Sequence, residues 1–499
     1  MSVLGRKARE AVFWTSGFNL FRDVLQLGQT LVLVRLLAPD AYGRFGLVST
    51  IVGFFTVLSF REFLVHMLQV RDERDVHYQD HFTAGAVMQL AMCGLMNATA
   101  VGLRWTPTYA SVAPMLHVMS VLFLLDLPSE FRVKMLERAL DWKRLRLLNG
   151  LGIVAYAGVS IGLAAAGAGA YALLVPMLLV PLPFIYDLFV NAGWRPSWEL
   201  SRDGYGPAAR FGLTRITSVS FVTGAQLVES AVLVRLVGFV SLGLFGRAIG
   251  LSQLSCQKVA SVLAMALYPV LTRIPPGSDS YKRVAALMLR SVAWVVIPLA
   301  AIVAVLGHAV VKVLFGPKWL DMVPLVPSAL IMGAMMALVH AAYFILLAHQ
   351  QQRRCLAVDV LRLAGTVAAL GLLLGHGLVP YLRGLIVLHV IGFSLIARWL
   401  YRDGAITIGG LAAAIVPPIA ASLNGLGLCE LARRAIAIEI DGFWSGLAYG
   451  TTFALVYVTF LRVLFAPSLR ELVGYLPQAD RLNRILGFRP TPAVSPEAV

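Results

Sequence analysis

Fourteen stretches of this chain are long and apolar enough to cross a membrane, and they leave little room for anything else. A bilayer core takes about 20 apolar residues in helical form. The stretches run over roughly 11–36, 44–70, 82–103, 110–127, 147–167, 170–190 and 208–237, then 241–270, 284–311, 322–349, 356–375, 378–399, 406–432 and 443–466. Hydrophobic residues make up 59% of the chain and charged ones only 14%. A soluble domain carries roughly 25% charge, and the mean hydropathy here is +0.78. The expected fold class is therefore an all-α integral membrane protein with about fourteen transmembrane helices. The basic start (Arg6, Lys7, Arg9) runs into an apolar segment too long for a signal h-region, so no cleaved signal is expected. No terminus or loop is long enough for a separate soluble domain.

The spans fall into two similar halves. VLVRLLAPDAYGRFG begins at Val32 and VLVRLVGFVSLGLFG at Val232, 200 positions later. Arg35, Gly43 and Gly46 recur as Arg235, Gly243 and Gly246, and upstream Phe21, Gln26 and Leu27 recur as Phe221, Gln226 and Leu227. Duplicated halves are how many transporters build a path along the seam between two similar bodies.

Basic residues set the expected orientation. With a cytoplasmic N-terminus, the inside segments hold Arg6, Lys7, Arg9, Arg71, Arg74, the six bases from Arg132 to Arg146, and the tail arginines from Arg462 to Arg489. The outside segments hold little beyond Arg44, Arg104, Lys312, Lys318, Arg433 and Arg434. Both ends are thus expected inside. The net charge of +16 is mostly topological, and no nucleic-acid partner is needed to explain it. Cys93, Cys256, Cys355 and Cys429 show neither a disulfide framework nor metal-ligand spacing and read as inert packing residues.

The connection between the fourth and fifth spans mixes Leu136, Leu140, Trp142 and Leu147 with Arg132, Lys134, Arg138, Lys143, Arg144 and Arg146. It reads as an interfacial amphipathic helix with its basic face on anionic headgroups. Its role is either a topological anchor or the recruitment of a lipid substrate.

A charge near mid-bilayer costs roughly 2.5–3.5 kcal/mol on insertion scales and persists where it faces a bundle interior or a wet cavity. Arg22 and Asp23 lie near the centre of the first span, with Gln26 and Gln29 beyond them. The spacing i, i+4, i+7 puts Arg22, Gln26 and Gln29 on one helix face. Gln226 and Glu229 hold the equivalent places in the seventh span, with Arg215 below, and Lys258 lies near the middle of the eighth. These residues are the candidates for a substrate cavity. Arg61, Glu62, Arg290 and His340 are secondary candidates; Arg61 and Arg290 are open to the blander reading of snorkelling cations, and His340 to that of a packing residue. Arg35 and Arg235, at the outer ends of their spans, read as anchors. A basic cavity suits an anionic headgroup, because guanidinium and ammonium groups pair with phosphate oxygens. Glu229, Asp23 or Glu62 can instead couple transport to protons or sodium; the sequence leaves both open, and no cofactor is expected.

Taken together, LVRLLAPDAYGRFGLVS, LERALDWKRLRLLNGLG, AYALLVPMLLVPLP, the segment from ARFGLTRITSV to GRAIGLSQL, ALYPVLTRI and VVKVLFGPKWLDMVPLV resemble the polysaccharide transporters, or Wzx-type flippases, of the multidrug/oligosaccharidyl-lipid/polysaccharide (MOP) superfamily. The match extends over residues 10 to about 400. The resemblance implies two pseudo-symmetric six-helix lobes in a V, over 1–205 and 206–400, with two further helices and a cytoplasmic tail over 401–499. It implies a flippase that moves an undecaprenyl-pyrophosphate-linked oligosaccharide outward across a bacterial inner membrane by alternating access. Arg22, Arg215 and Lys258 become pyrophosphate-binding candidates by that resemblance. The implied partners are the lipid-linked oligosaccharide, membrane lipids, and a polysaccharide polymerase with its export machinery. The family often has Asp where this chain has Glu229.

The nearest alternative is a multidrug or other small-molecule exporter of the same superfamily, which predicts more acids and aromatics in the cavity. An enzyme of the same pathways needs long outer loops or acidic pairs, whereas the first outer loop offers Asp40 alone. No G-x-x-x-x-G-K-[ST] phosphate loop occurs in the chain.

Overall fold

A computed structural model describes residues 3–68, 70, 76–199, 201–436, 439–474, 481 and 483. Inside helices, the side chains of 3–9, 12, 62, 202–204, 207, 208, 211, 214, 215, 217–219, 221 and 222 are outside that description. Among the described residues every regular element is helical. The chain divides into two compact units, Met1–Gly243 and Leu244–Val499.

The first unit holds α1 (Val3–Leu36), α2 (Pro39–Val57), α3 (Arg61–Leu64), α4 (Tyr78–Arg104), α5 (Ala113–Ala139), α6 (Trp142–Ala165), α7 (Tyr171–Leu174), α8 (Leu182–Asn191) and most of α9 (Arg202–Ser252). Helix ends follow local chemistry. Ala38 is extended and Pro39 opens α2, where its missing N–H costs nothing. Gly238, at φ +82, interrupts α9 between two helical stretches, a backbone conformation that costs glycine no Cβ clash. Ala38 and Gly238 are 200 positions apart, so the sequence repeat is also a repeat of helix, break and helix.

The core of this unit gathers Phe60, Leu64, Met67, Leu127, Phe131 and Leu188, with Phe82 and Trp194 against Phe131 at ring distances of 5.4 and 4.7 Å. α1 packs on α6, and α5 packs on α4 and α8. The second span is not one helix: α2 stops at Val57, and after the bend at Leu58–Phe60 the chain restarts as α3 and a 3-10 turn, Val65–Leu68.

The second unit holds the rest of α9, then α10 (Lys258–Leu271), α11 (Asp279–Val305), α12 (Gly307–Val310), α13 (Val326–Ala348), α14 (Gln352–Leu373), α15 (Leu378–Arg402), α16 (Ile408–Ile436), α17 (Phe443–Leu464) and α18 (Ala466–Gly474). A π-helical turn, Gln253–Gln257, joins α9 to α10. Ser278 caps α11 by accepting the Tyr281 N–H at 3.2 Å. α11 packs on α10, α13 and α16. Buried tyrosines keep their hydroxyls paired: Tyr281 donates to the Ile345 carbonyl at 3.1 Å and Tyr457 to that of Trp294 at 2.9 Å.

Eleven helices among the described residues are long and apolar enough to cross a membrane, rather than fourteen. One of the eleven, Thr223–Leu271, runs through the seventh and eighth expected spans. α1 and α2, on the first two expected spans, fall outside the count; α2 opens on a polar turn in which Arg44 holds Asp40 at 2.8 Å.

The expected amphipathic helix between the fourth and fifth spans does not form. α5 continues to Ala139, Leu140 turns the chain at φ +57, and Asp141 caps α6 by accepting the Arg144 N–H at 3.1 Å. Its bases turn largely inward. Arg132 (7% exposed) donates to Asp187 at 2.7 Å, Arg144 donates to the same carboxylate at 2.9 and 2.5 Å, and Arg138 donates to the Met67 and Val70 carbonyls. Asp187 is a stronger attractor than headgroups because two guanidinium groups meet it in a water-poor interior.

Candidate functional site

The polar stripe of α1 is graded in burial. Arg22 and Asp23 are about one-third uncovered by protein and meet at 3.4 Å. Gln26 is uncovered, and Gln29 is 6% exposed. The α1 face that packs on α6 explains the grading, since residues three apart are rotated by about 60° from each other. The Gln29 amide nitrogen has no hydrogen-bond partner among the described residues. A buried donor left unmade costs about 1–3 kcal/mol, so this amide is a natural place for a ligand acceptor.

On α9, Gln226 is uncovered and Glu229 half-buried; the neighbouring Ser230 hydroxyl lies 3.4 Å from that of Thr50 on α2. Lys258, in the second unit, is uncovered and follows directly on the π turn. Such turns often mark functional positions, because the extra residue re-aims what comes after it. Arg215 and Glu62 lie outside the described side chains.

Two of the secondary candidates, Arg61 and Arg290, are already engaged. Arg61 sends Nε and Nη2 to the two Asp126 oxygens at 2.9 and 2.6 Å, and Nη2 also lies 3.3 Å from Glu130. Sequence reasoning missed both carboxylates; their i, i+4 spacing on one helix was the signal that could have found them. Arg290 is buried and ion-paired with Glu471 of α18. His340 is uncovered and shares the middle of the second unit with Asp359, Arg362 and His389. There the Tyr343 hydroxyl donates to Asp359 at 3.1 Å, and Arg362 lies 3.8 Å from the same carboxylate.

A cleft of about 780 Å³ opens between α11 and α17, lined by Trp294, Pro298, Ile302, Phe443, Leu447 and Tyr457 among others. Its walls are almost wholly apolar, so it suits hydrocarbon and offers nothing to a charged headgroup. The polar stripe on α1 is a separate feature of the first unit.

Residues 32–324 match the family model described as polysaccharide biosynthesis protein. The succinoglycan biosynthesis transport protein ExoT of Rhizobium meliloti (strain 1021) is 22% identical over 292 residues, which is 58% of this chain and 58% of that relative. The chain thus spans less than two thirds of that relative's length. Among solved structures, the lipid II flippase MurJ in its inward closed conformation superposes with a TM-score of 0.72 at 11% identity, over 92% of this chain and 100% of that one. An inward-facing multidrug resistance MATE family transporter of the MOP superfamily gives 0.56 at 14% identity, over 77% of this chain and 95% of that one. At these identities the likeness is one of fold.

Proposed function

The chain belongs to the polysaccharide biosynthesis protein family, and from that premise we propose that it is a flippase for a lipid-linked oligosaccharide. Its cargo is an undecaprenyl-pyrophosphate-linked repeat unit of an exopolysaccharide, O-antigen or capsule, moved from the cytoplasmic to the outer leaflet by alternating access. The observation that carries this reading is the α1 stripe, where Arg22 stands partly uncovered above Gln29, whose buried amide nitrogen lacks a partner. Arg22, Arg215 and Lys258 would hold the pyrophosphate, while Gln26, Gln29 and Gln226 suit sugar hydroxyls. The fold shared with a lipid II flippase supports the substrate class.

The basic bias of the inside segments supports both termini in the cytoplasm of a bacterium and insertion in its inner membrane. A polysaccharide polymerase and export machinery would take the product onward. Moving one negative charge outward across an inside-negative membrane releases about 2.3 kcal/mol per 100 mV, so the membrane potential favours export of an anionic headgroup. Translocation of a lipid-linked oligosaccharide in proteoliposomes, with and without an imposed potential, tests the reading. Arg22→Ala and Lys258→Ala should each lower the rate by tenfold or more at unchanged protein level, since a charge-assisted hydrogen bond contributes about 1.5–3 kcal/mol. Full surface-glycan production by both variants would refute it.

A further inference from the structure

One cation faces two carboxylates inside the first unit. Arg61 spends its fork on Asp126, whose side chain is 6% exposed, and only the edge of the same guanidinium reaches Glu130. The triad therefore carries one surplus negative charge. The other charged groups acting on Glu130 are Lys134 and Glu137 of its own helix, and these two pair with each other at 2.7 Å. Among the described residues, the cations of the neighbouring elements are directed elsewhere: Arg146 of α6 acts on Glu137 and lies against Thr15 and the Phe18 and Trp142 rings. Asp187 of α8 is held by Arg132 and Arg144, Arg138 is bound to backbone carbonyls, and Asp80 of α4 accepts two hydrogen bonds from Ser201. The buried His81 of α4 holds the His77 carbonyl and lies among aromatic rings.

A second observation marks the same place. Gly85 of α4 faces Leu127 and Phe60, with 2.6 Å between its Cβ position and a Leu127 methyl, so it lies next to the residues that flank Asp126 and Arg61. One turn further along α4, Gln89 is 1% exposed, and neither its amide nitrogen nor its amide oxygen has a partner among the described residues. Between the two carboxylates Pro128 lacks the N–H that would satisfy the Leu124 carbonyl. Gln89 and the Leu124 carbonyl are thus further polar groups of the same α4–α5 helix pair.

We propose that Glu130 carries a proton in the transport cycle, gaining and losing it beside a fixed Arg61–Asp126 pair. The step is a simple exchange: the carboxylate takes a proton from water and becomes a neutral carboxyl, and releasing that proton to water restores the carboxylate. Asp126 is the poorer carrier, because both of its oxygens are engaged by the guanidinium. Glu130 keeps a quarter of its side chain uncovered by protein, so it is the more accessible of the two carboxylates. A metal ion suits the site less well, since it would sit against the Arg61 charge, while a proton needs a single oxygen. The proposal rests on the flippase reading for what the proton drives, but not for the proton exchange itself.

Two measurements on the full-length protein in liposomes test it. Infrared spectroscopy across a pH titration should show a protonated-carboxyl C=O band that Glu130→Gln loses, Glu130→Asp keeps in shifted form, and Glu137→Gln leaves alone. An imposed pH gradient should accelerate lipid-linked oligosaccharide translocation, and Glu130→Gln should lose all of that acceleration while melting at the wild-type temperature. A band that persists in Glu130→Gln, an unchanged gradient response in that variant, or a sodium gradient acting at constant pH would each overturn the proposal. Loss of the band in Glu130→Gln with no oligosaccharide movement by the wild type would overturn the flippase reading and leave the proton exchange standing.

Discussion

Gly43 and Gly243, 200 residues apart, each press their bare Cα against the backbone just ahead of the other. A Cβ on Gly43 would lie 1.9 Å from the Phe239 carbonyl oxygen, and a Cβ on Gly243 would lie 1.9 Å from that of Pro39. Pro39 and Phe239 are themselves equivalent positions of the repeat, so the contact is reciprocal. Arg44 adds its guanidinium over the Phe239 ring at 5.4 Å. No side chain larger than hydrogen fits either place, because the atoms it would meet belong to backbone and cannot swing aside.

Gly43→Ala or Gly243→Ala should therefore destabilise this arrangement, at a cost of about 1–3 kcal/mol each from overpacking. Thermal melting in detergent and surface-glycan yield should fall for both variants. Gly46→Ala is the matched control: its Cβ position meets the Leu242 side chain at ordinary contact distance, 3.8 Å at the nearest, and its melting temperature should not fall.

Asp187 supports the turn between α5 and α6 from the neighbouring helix. It is 2% exposed and accepts from Arg132, Arg144 and Asn191. Asp187→Ala leaves the buried Arg132 charge alone, and breaking a buried pair from one side costs about 3–5 kcal/mol. Melting should drop by far more than in Arg144→Ala, whose side chain is over a third uncovered and loses less for solvent screening. Equal effects of the two variants would contradict this.

Asp441, between α16 and α17, pairs with Lys312 and lies near His308. The lysine holds its carboxyl below the usual carboxylate range. A lowered folded-state value means that the stabilisation is fully present above the unfolded value, about 3.9 for Asp, and fades as pH falls through the folded one. The melting difference between wild type and Asp441→Asn should be small at neutral pH, because both partners are about half uncovered. It should vanish as the pH is taken below the carboxylate range. A difference that grew on acidification would exclude the pairing.

What could be read from the sequence follows from how far apart the cooperating residues lie. Apolar length revealed helices, and the fixed offset of 200 revealed that Ala38 and Gly238 do the same job. Arg61 looked like a cavity cation because its partners are 65 and 69 positions away on another helix. Arg290 looked the same, with Glu471 lying 181 positions downstream. Charge counted along one segment cannot see a carboxylate delivered by packing. The amphipathic helix failed for the same reason: its bases were assigned to headgroups while Asp187 waited on α8. Gln29 was legible as polar and central, yet only the packing of α1 on α6 separates it from uncovered Gln26.

The π turn ahead of Lys258 has a consequence for how this chain can change. A surplus residue in a helix turns everything beyond it by about 100°, so the compass bearing of Lys258 is set by the five residues just ahead of it, Gln253–Gln257. Deleting one of them would leave composition, hydropathy and span length nearly intact, yet swing the lysine a quarter-turn off its bearing. Lineages of this protein can thus lose or regain a charge on a given wall through length alone, without exchanging a single charged residue.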